Sequence, residues 1–578
     1  MRNPRLWTAL LWVLLAVSCS SQRAPEADLI LHNGDFWTAD DSKPRARAVA
    51  MLDGRIVAVG SDDEVMAHRG DSTQVVDLEG AFALPAFNDN HVHFASAARF
   101  QEFNIMRTST QDEFVERVEE VVSTLDPDEW MMGGYWGAYD QWAEGSAGGS
   151  SREPFAPDMR LVDDISARHP IFIRKFDNSQ FAANRKALEM AGLDPDRPRA
   201  EGVEFLRDAQ GYTGVFEGEG AARLFRDKIP AEFSRKRRIA QTKNAFRQIV
   251  RHGVSNVSDM SDEIQLEIYR ELREAGQLDV RIHFRYPLDE WKKLADQGIE
   301  IGSGDEWIRL GSLKGHIDGI MGTSTARFFE PYTHDPDSRG RWRRLMVDDQ
   351  GNFVEGKFLQ YMLDADKANL QLTVHAIGDE ANHLLLDYLE ELRRQNGQKD
   401  RRFRLVHAQV IAPDDFPRLG ELGVVAEVQP FHLSDDMRWM EERIGHERSK
   451  GAYAFKTIQE NGGLLCFGTD WPGTSAAEYP IDPMLGLYAA VTRQTITGQP
   501  PGGWFPEERI SMEEALKAYT YNTAYANFEE DVKGSLTPGK VADIAVLSLD
   551  LLEIDPSRIL DTEVLYTVIG GRFAYRRD

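Results

Sequence analysis

Phe-Ala-Leu-Pro-Ala-Phe-Asn-Asp-Asn-His-Val-His-Phe, residues 82–94, is the stretch on which the reading of the fold turns. An apolar run carrying a proline reaches Asp89 and then sets His91 and His93 two residues apart. On a strand, residues i and i+2 point to the same side, so both imidazoles face one point. Two neutral imidazoles converging from a rigid strand are half a site for a divalent metal. With 14 histidines in 578 residues, chance supplies roughly a third of one His-x-His per chain, so the pair counts only in structural context.

Seven more apolar segments follow, most of them separated by helical stretches: Gly253–Met260, Val280–Tyr286, Ile308–Ile317, Leu370–Ile377, Arg404–Gln409, Val424–Gln429 and Leu464–Asp470. Strand then helix, repeated, predicts a parallel sheet covered by helices. Eight such units close as an α/β fold, a (β/α)8 TIM-like barrel, with functional residues at the C-terminal ends of the strands. Ser511-Met-Glu-Glu514 fits a capping box ahead of the last helix.

Both ends of the chain read differently. Asp28–His32, Ala48–Leu52 and Arg55–Gly60 are short β-type runs, with Asp53-Gly54 as a tight hairpin turn between the last two. Ala542–Leu547, Val564–Ile569 and Phe573–Tyr575 repeat the pattern at the other end. A small β-sandwich domain built from residues 27–81 and 533–578 is expected to flank a barrel of residues 82–532. The roughly 160 residues between the first two candidate strands exceed any ordinary barrel connection. They predict an insertion over the barrel mouth, about residues 96–240, holding the aromatic, glycine-rich run Trp130–Trp142 and an extra strand near Pro170–Phe176. The basic cluster Arg235–Arg238 reads as a solvated helix face.

Lys and Arg total 67 against 94 Asp and Glu, a net charge of −27. That argues against a nucleic-acid binder, which needs a basic face to displace counterions from phosphates. At the N-terminus, Arg2 and Arg5 precede the apolar run Leu6–Val17 and then Ser18-Cys19-Ser20-Ser21. Charged start, apolar middle and small residues describe a secretory signal, too short to span a bilayer comfortably. Residues 15–19 further resemble a bacterial lipoprotein signal, with Ala16 where that signal most often has Leu. The resemblance implies cleavage before Cys19, its lipidation, and a place in the cell envelope facing the periplasm, with membrane association only through the lipidated N-terminus. A cleaved peptide or membrane anchor with an incidental cysteine is the alternative. Cys466 is the only other cysteine, so no intrachain disulfide is expected.

Several candidate strands end in residues suited to metal chemistry. His91 and His93 end the first; Lys314 lies in Gly311–Gly319, His375 in Leu372–Asp379, His407 in Leu405–Gln409 and Asp470 in Phe467–Trp471. Each alone has a packing explanation, but four histidines, a lysine and an aspartate on five strand ends in this order point to a metal site. The order resembles the amidohydrolase superfamily, and the details resemble its YtcJ-like branch, amidohydrolase family 3, which includes N-substituted formamide deformylases. The supporting motifs are Asp318-Gly319, Gly322–Ala326, Glu330-Pro-Tyr332, Thr213-Gly-Val215, Gly253–Asp259, Ala489–Arg493 and Gly534–Asp543, so the resemblance spans nearly the whole chain beyond the N-terminal signal.

The resemblance implies that His91, His93 and Asp470 hold one divalent metal and His375 and His407 a second. Lys314, carboxylated, would bridge them; burial favours the neutral amine that forms a carbamate. An unmodified Lys314 paired with Asp318, with one bound metal, is the alternative. Zinc is the first expectation, with manganese, iron and cobalt also compatible. The metal would make hydroxide available for attack on a carbonyl, with Asp470 as the catalytic proton carrier. The expected outcome is hydrolysis of a small molecule, at a non-peptide or N-acyl amide C–N bond. Lactone or ester hydrolysis, and a retired barrel that only binds ligand, are the competing readings. Oligomeric state is not readable.

His316 shares a strand face with Lys314 where the family usually has an apolar residue; a partner that orients a ligand, a substitute ligand and a hydrogen-bonded core histidine are its three readings. Asp177-Asn-Ser179 stands where the family often has Asp-Gly-His, which weakens any inference about substrate grip there. Cys466 reads as barrel filler. Candidate substrate contacts are Trp136 and Asp140, with Tyr139 and Trp142 nearby, together with Asp318, Gln429 and His432; the aromatics equally fit the insertion's own core.

Overall fold

The computed structural model describes residues 25–106, 108–137, 155–230, 232–354, 356–474 and 477–577. Cys19, Tyr139, Asp140 and Trp142 lie outside the described residues. Eight parallel strands form one sheet in sequence order. They are β1 (Phe87–Val92), β2 (Val254–Asp259), β3 (Arg281–Pro287), β4 (Ile308–His316), β5 (Gln371–Ala376), β6 (Arg404–His407), β7 (Val425–Val428) and β8 (Leu464–Phe467). β1, β2, β5, β6 and β7 are buried along their whole length. Helices cover the outside and side chains fill the inside, which is why these segments read as near-continuous apolar runs.

The sheet closes just beyond the last strand. The Asp470 amide donates to the His91 carbonyl and the His93 amide to the Trp471 carbonyl, both at 2.8 Å. Asp89 fastens the same seam, accepting from the Thr469 amide at 3.0 Å and the Thr469 hydroxyl at 2.6 Å. Helices Glu263–Glu274, Lys357–Lys367, Asp379–Asn396 and Met512–Tyr519 are among those between and after the strands. The last begins with the expected capping box, Ser511 and Glu514 each bonding the other's backbone amide.

The expected first strand is two strands. Phe82–Pro85 pairs antiparallel with Ile544–Leu547 and parallel with Asp35–Trp37, outside the barrel. Only Phe87–Val92 pairs with β2. The dividing point, Ala86, sits in a run apolar on both sides because both strands are buried. Phe82–Pro85 thus joins a six-stranded sheet that faces a four-stranded one, and Leu29, Leu31, Val49 and Met51 of the smaller sheet pack against Phe36, Ala83, Ile544 and Val568 of the larger. The Asp53-Gly54 turn joins Ala48–Leu52 to Arg55–Gly60, with both residues at positive φ (50° and 78°), as a type I′ hairpin requires.

Between β1 and β2 the chain builds a second, five-stranded sheet: Met131–Trp136, Ile171–Lys175, Gln180–Ala183, Glu204–Asp208 and Gly211–Glu217. The basic cluster is not uniformly solvated. Arg237 and Arg238 are buried: Arg237 donates to both Glu102 carboxylate oxygens and to the Trp130 carbonyl, and Arg238 reaches Glu232 and Asp262. A guanidinium carries five donors in a fixed fork, so Arg237 can satisfy an insertion backbone group and a carboxylate together. Among the described residues no helix is long and apolar enough to cross a membrane.

Candidate metal centre

The C-terminal ends of β1, β4, β5, β6 and β8 converge as alternation requires. Asp470 lies at the centre. Its Oδ1 is 3.1 Å from His93 Nε2 and 3.5 Å from His91 Nε2, and its Oδ2 is 3.9 Å from His432 Nε2. Ring centroids lie 5.2 Å apart for His91 and His407 and 4.5 Å for His375 and His407. Two trios bring a donor atom each within 4.8 Å of one another: His91, His93 and Asp470, and His407, His432 and Asp470. His407 and Asp470 adopt left-handed φ of 72° and 61°, a conformation that costs a non-glycine residue about 1–3 kcal/mol and that clusters at functional sites.

The imidazoles are oriented from behind. His91 Nδ1 is 2.6 Å from Glu427 Oε1, and His407 Nδ1 is 2.6 Å from Gln429 Oε1. Each bond fixes one ring nitrogen as the donor and leaves Nε2 as the ligand atom. Glu427 is itself held inside the barrel by Arg285 and Arg404, all three fully buried. Burial works to raise Glu427, but Arg285, Arg404 and His91 hold it well below the usual carboxylate range. Burial and the nearby Lys314 keep His91 neutral, pushed down to about 3. Asp470 stays ionised for the same reason as Glu427: His91 and His93 outweigh its burial.

Lys314 is buried and its Nζ has no hydrogen-bond partner among the described residues. Burial pushes its pKa down to about 7. The expected alternative pairing with Asp318 is not formed. Asp318 instead accepts from the backbone amides of Arg327, Ile377 and Gly378 at 2.8–3.0 Å, clamping the loops that follow β4 and β5. His375 also turns that way, its Nε2 2.9 Å from the Gly319 carbonyl and 3.4 Å from Asp318 Oδ1. The donor set of imidazoles, a carboxylate and an unpartnered amine suits a divalent cation of the zinc type.

The substrate candidates separate. Gln429 is spent on His407, and Asp318 on backbone. Trp136 is buried in the insertion's own core with Met131, Met159 and Ile173. Asp177 caps a surface turn through Ser179. His93 and His316 expose their rings where the site opens, His316 with its centroid 5.3 Å from that of His375. Cys466 is buried in the barrel wall, its thiol pushed up to about 12 by burial, which suits filler and not a nucleophile. Sequence reasoning missed Glu427, Arg285 and Arg404. A charged residue within an apolar run, as in Val424–Gln429, was the available signal, since such a residue must be paired once buried.

A family model described as amidohydrolase family matches residues 74–575. The chain is 33% identical to Protein LONG AFTER FAR-RED 3 of Arabidopsis thaliana, over 95% of this chain and 92% of that protein. It is 27% identical to the putative amidohydrolase YtcJ of Bacillus subtilis (95% and 99% covered) and 25% identical to the N-substituted formamide deformylase of Arthrobacter pascens (95% and 98%). Among solved structures, an uncharacterized metal-dependent hydrolase from Pyrococcus furiosus superposes with a TM-score of 0.68 at 25% identity, over 91% of this chain and all of that one.

Proposed function

We propose that this chain, which belongs to the amidohydrolase family, is a metal-dependent hydrolase of small molecules that cleaves a C–N bond other than a peptide bond, of the N-acyl amide kind. The observation that carries the reading is Asp470 set between two histidine pairs, His91 with His93 and His407 with His432, at the rim of the barrel. His91, His93 and Asp470 would hold one divalent cation, zinc by preference, and His407 faces the position of a second. Lys314, a buried amine inclined to be neutral, suits the carbamate that the family resemblance implies. A bound cation of this kind supplies a Lewis acid and lowers the pKa of water near neutrality.

The chain's own groups do the rest. Glu427 and Gln429 hold His91 and His407 in single tautomers. Asp470, kept ionised beside His91 and His93, is placed to accept a proton from water and return it to a leaving amine. Cys19, left as the N-terminus once the segment before it is cleaved, would anchor the enzyme to the cell envelope through its lipid.

The test is metal analysis of the purified protein together with a panel of N-acyl amides, N-formyl amines and lactones, with Asp470→Asn as control. The reading expects bound divalent metal, amide turnover, and a loss of at least about 100-fold in the control, the lower range for a positioned proton carrier. Unchanged turnover in Asp470→Asn removes the proposed proton carrier. Lactone turnover alone shifts the bond class, and metal-free, inert protein leaves a ligand binder.

A further inference from the structure

We propose that the inside of the barrel binds one small monovalent anion of chloride's size, held by Arg285, Asn90, Asn527 and Ser312 below the rim. This position is separate from the candidate metal ligands, and it does not rest on the hydrolase reading.

The charges come first. Arg285 and Arg404 share one carboxylate, Glu427, and all three side chains are buried. Two guanidinium groups against one acid leave the cluster with a positive charge in excess. Both stay ionised near neutral pH, even Arg404, which burial and the neighbouring Arg285 push down to about 10. The other acids nearby are committed. Glu529 is shared by Lys533 and Arg309, Asp543 is taken by Arg281, and Asp470 lies with His91 and His93 at the rim. A charge removed from water is costly unless it is paired, so the excess calls for a counterion.

The same cluster carries donors with nothing to donate to. Arg404 donates to Oδ1 of Asn527 and to Oδ1 of Asn90. A guanidinium cannot accept, so each amide turns its oxygen to Arg404 and its NH2 away. Both Nδ2 atoms are buried without a hydrogen-bond partner among the described residues, and so are Arg285 Nε and Ser312 Oγ. Arg285 is tied to the same place, donating to the Asn90 carbonyl at 2.7 Å. Ser312 stands opposite Arg285 where β4 pairs with β3, and faces the same way as Lys314 two residues on. Three of these four groups can only donate, and the hydroxyl can donate as well. A buried water would need acceptors for its own hydrogens and brings no charge. An anion accepts from all four groups and cancels the excess. A single excess charge inside a closed barrel fits a halide better than sulfate or phosphate.

The test uses the full chain and two halides. Crystals grown with bromide in place of chloride, measured at the bromine absorption edge, should show an anomalous peak inside the barrel against Arg285, Asn90, Asn527 and Ser312. In solution, replacing gluconate by chloride at constant ionic strength should raise the unfolding temperature, because an ion held only by the folded chain stabilises it by mass action. Ser312→Ala removes one donor that has no other partner. It should raise the chloride concentration needed for half the effect by at least about tenfold, the value of one hydrogen bond to a charged group. Asn527→Asp brings a carboxylate to Arg404 and should abolish the response to chloride. Density at that position without a bromine signal means water and overturns the proposal. So does a wild type whose unfolding temperature ignores chloride, or a chloride response that either variant leaves unchanged.

Discussion

His91 Nδ1 and Glu427 Oε1 lie 2.6 Å apart inside the barrel, although the residues are 336 positions apart in the chain. The same carboxylate accepts from Arg285 at 2.8 and 2.9 Å and from Arg404 Nε at 2.9 Å. One buried acid therefore orients the innermost candidate ligand and is paired with two buried guanidinium groups. Glu427→Gln should weaken metal binding by about 10–100-fold, as loss of an outer carboxylate partner does. It should also destabilise the fold by about 3–5 kcal/mol, because it leaves buried cations uncompensated. Chelator competition and denaturant unfolding measure the two effects. Retained metal affinity would detach Glu427 from the site and leave it a purely structural acid.

Asp318 behaves as a clamp. Its carboxylate accepts three backbone amides, from Arg327, Ile377 and Gly378. Asp318→Ala strands those donors, and each unsatisfied buried group costs about 1–3 kcal/mol. The expected result is a fall in unfolding free energy of at least about 3 kcal/mol. Asp318→Asn keeps an acceptor oxygen and should recover part of the loss. A direct substrate contact would instead raise KM in Asp318→Asn without a change in stability, and that split decides between the roles.

The barrel was legible because each of its strands is short, apolar and bounded by helical sequence, and because rim residues such as His91 and Asp470 interrupt those runs with metal-binding types. What could not be read was pairing across sequence. Arg281, His283 and Arg285 alternate along β3, so their shared direction was visible, yet nothing in the sequence says that Arg285 meets Glu427 on β7. The split of Phe82–Val92 between two sheets was hidden for a similar reason. Both halves are buried, so both look alike, and only their partners differ. His432 was singled out as a substrate contact because it follows β7; its approach to Asp470 depends on the turn into the next helix, which periodicity does not specify.

The seam between β8 and β1 leaves no room beside Gly468. A Cβ there would stand 2.7 Å from the His91 backbone nitrogen, closer than real contacts allow, and a tight 3.0 Å from Asp89 Oδ1. Neither neighbour can retreat easily: the His91 amide donates to Asp89 at 3.0 Å, and Asp89 also holds Thr469. Gly468→Ala should therefore cost about 1–3 kcal/mol, the usual penalty for overpacking, and should lower metal affinity by displacing His91 from Asp470. Thermal unfolding with and without chelator checks both. Wild-type zinc affinity in a destabilised variant would show that the seam yields without moving the ligands.

Glu529 gives the pH dependence of stability away from the metal centre. It is fully buried, bonded to Lys533 at 2.8 Å and to Arg309 at 3.3 Å, with His283 at 3.7 Å. Burial works to raise its pKa, but Lys533 and His283 hold it far below its ordinary value of 4.5. A carboxylate depressed in the folded state stabilises the protein above its unfolded pKa, and that contribution disappears as pH falls toward the folded value. Glu529→Gln removes the charge and leaves Lys533 and Arg309 without it, a loss of about 3–5 kcal/mol for a buried pair. The stability gap between wild type and variant should be constant from pH 7 down to about 4.5 and narrow steadily below that. Urea unfolding of both proteins between pH 3.5 and 7 measures it. A gap that stays constant below pH 4.5 would mean the loss comes from packing, because a charge-based contribution must titrate away.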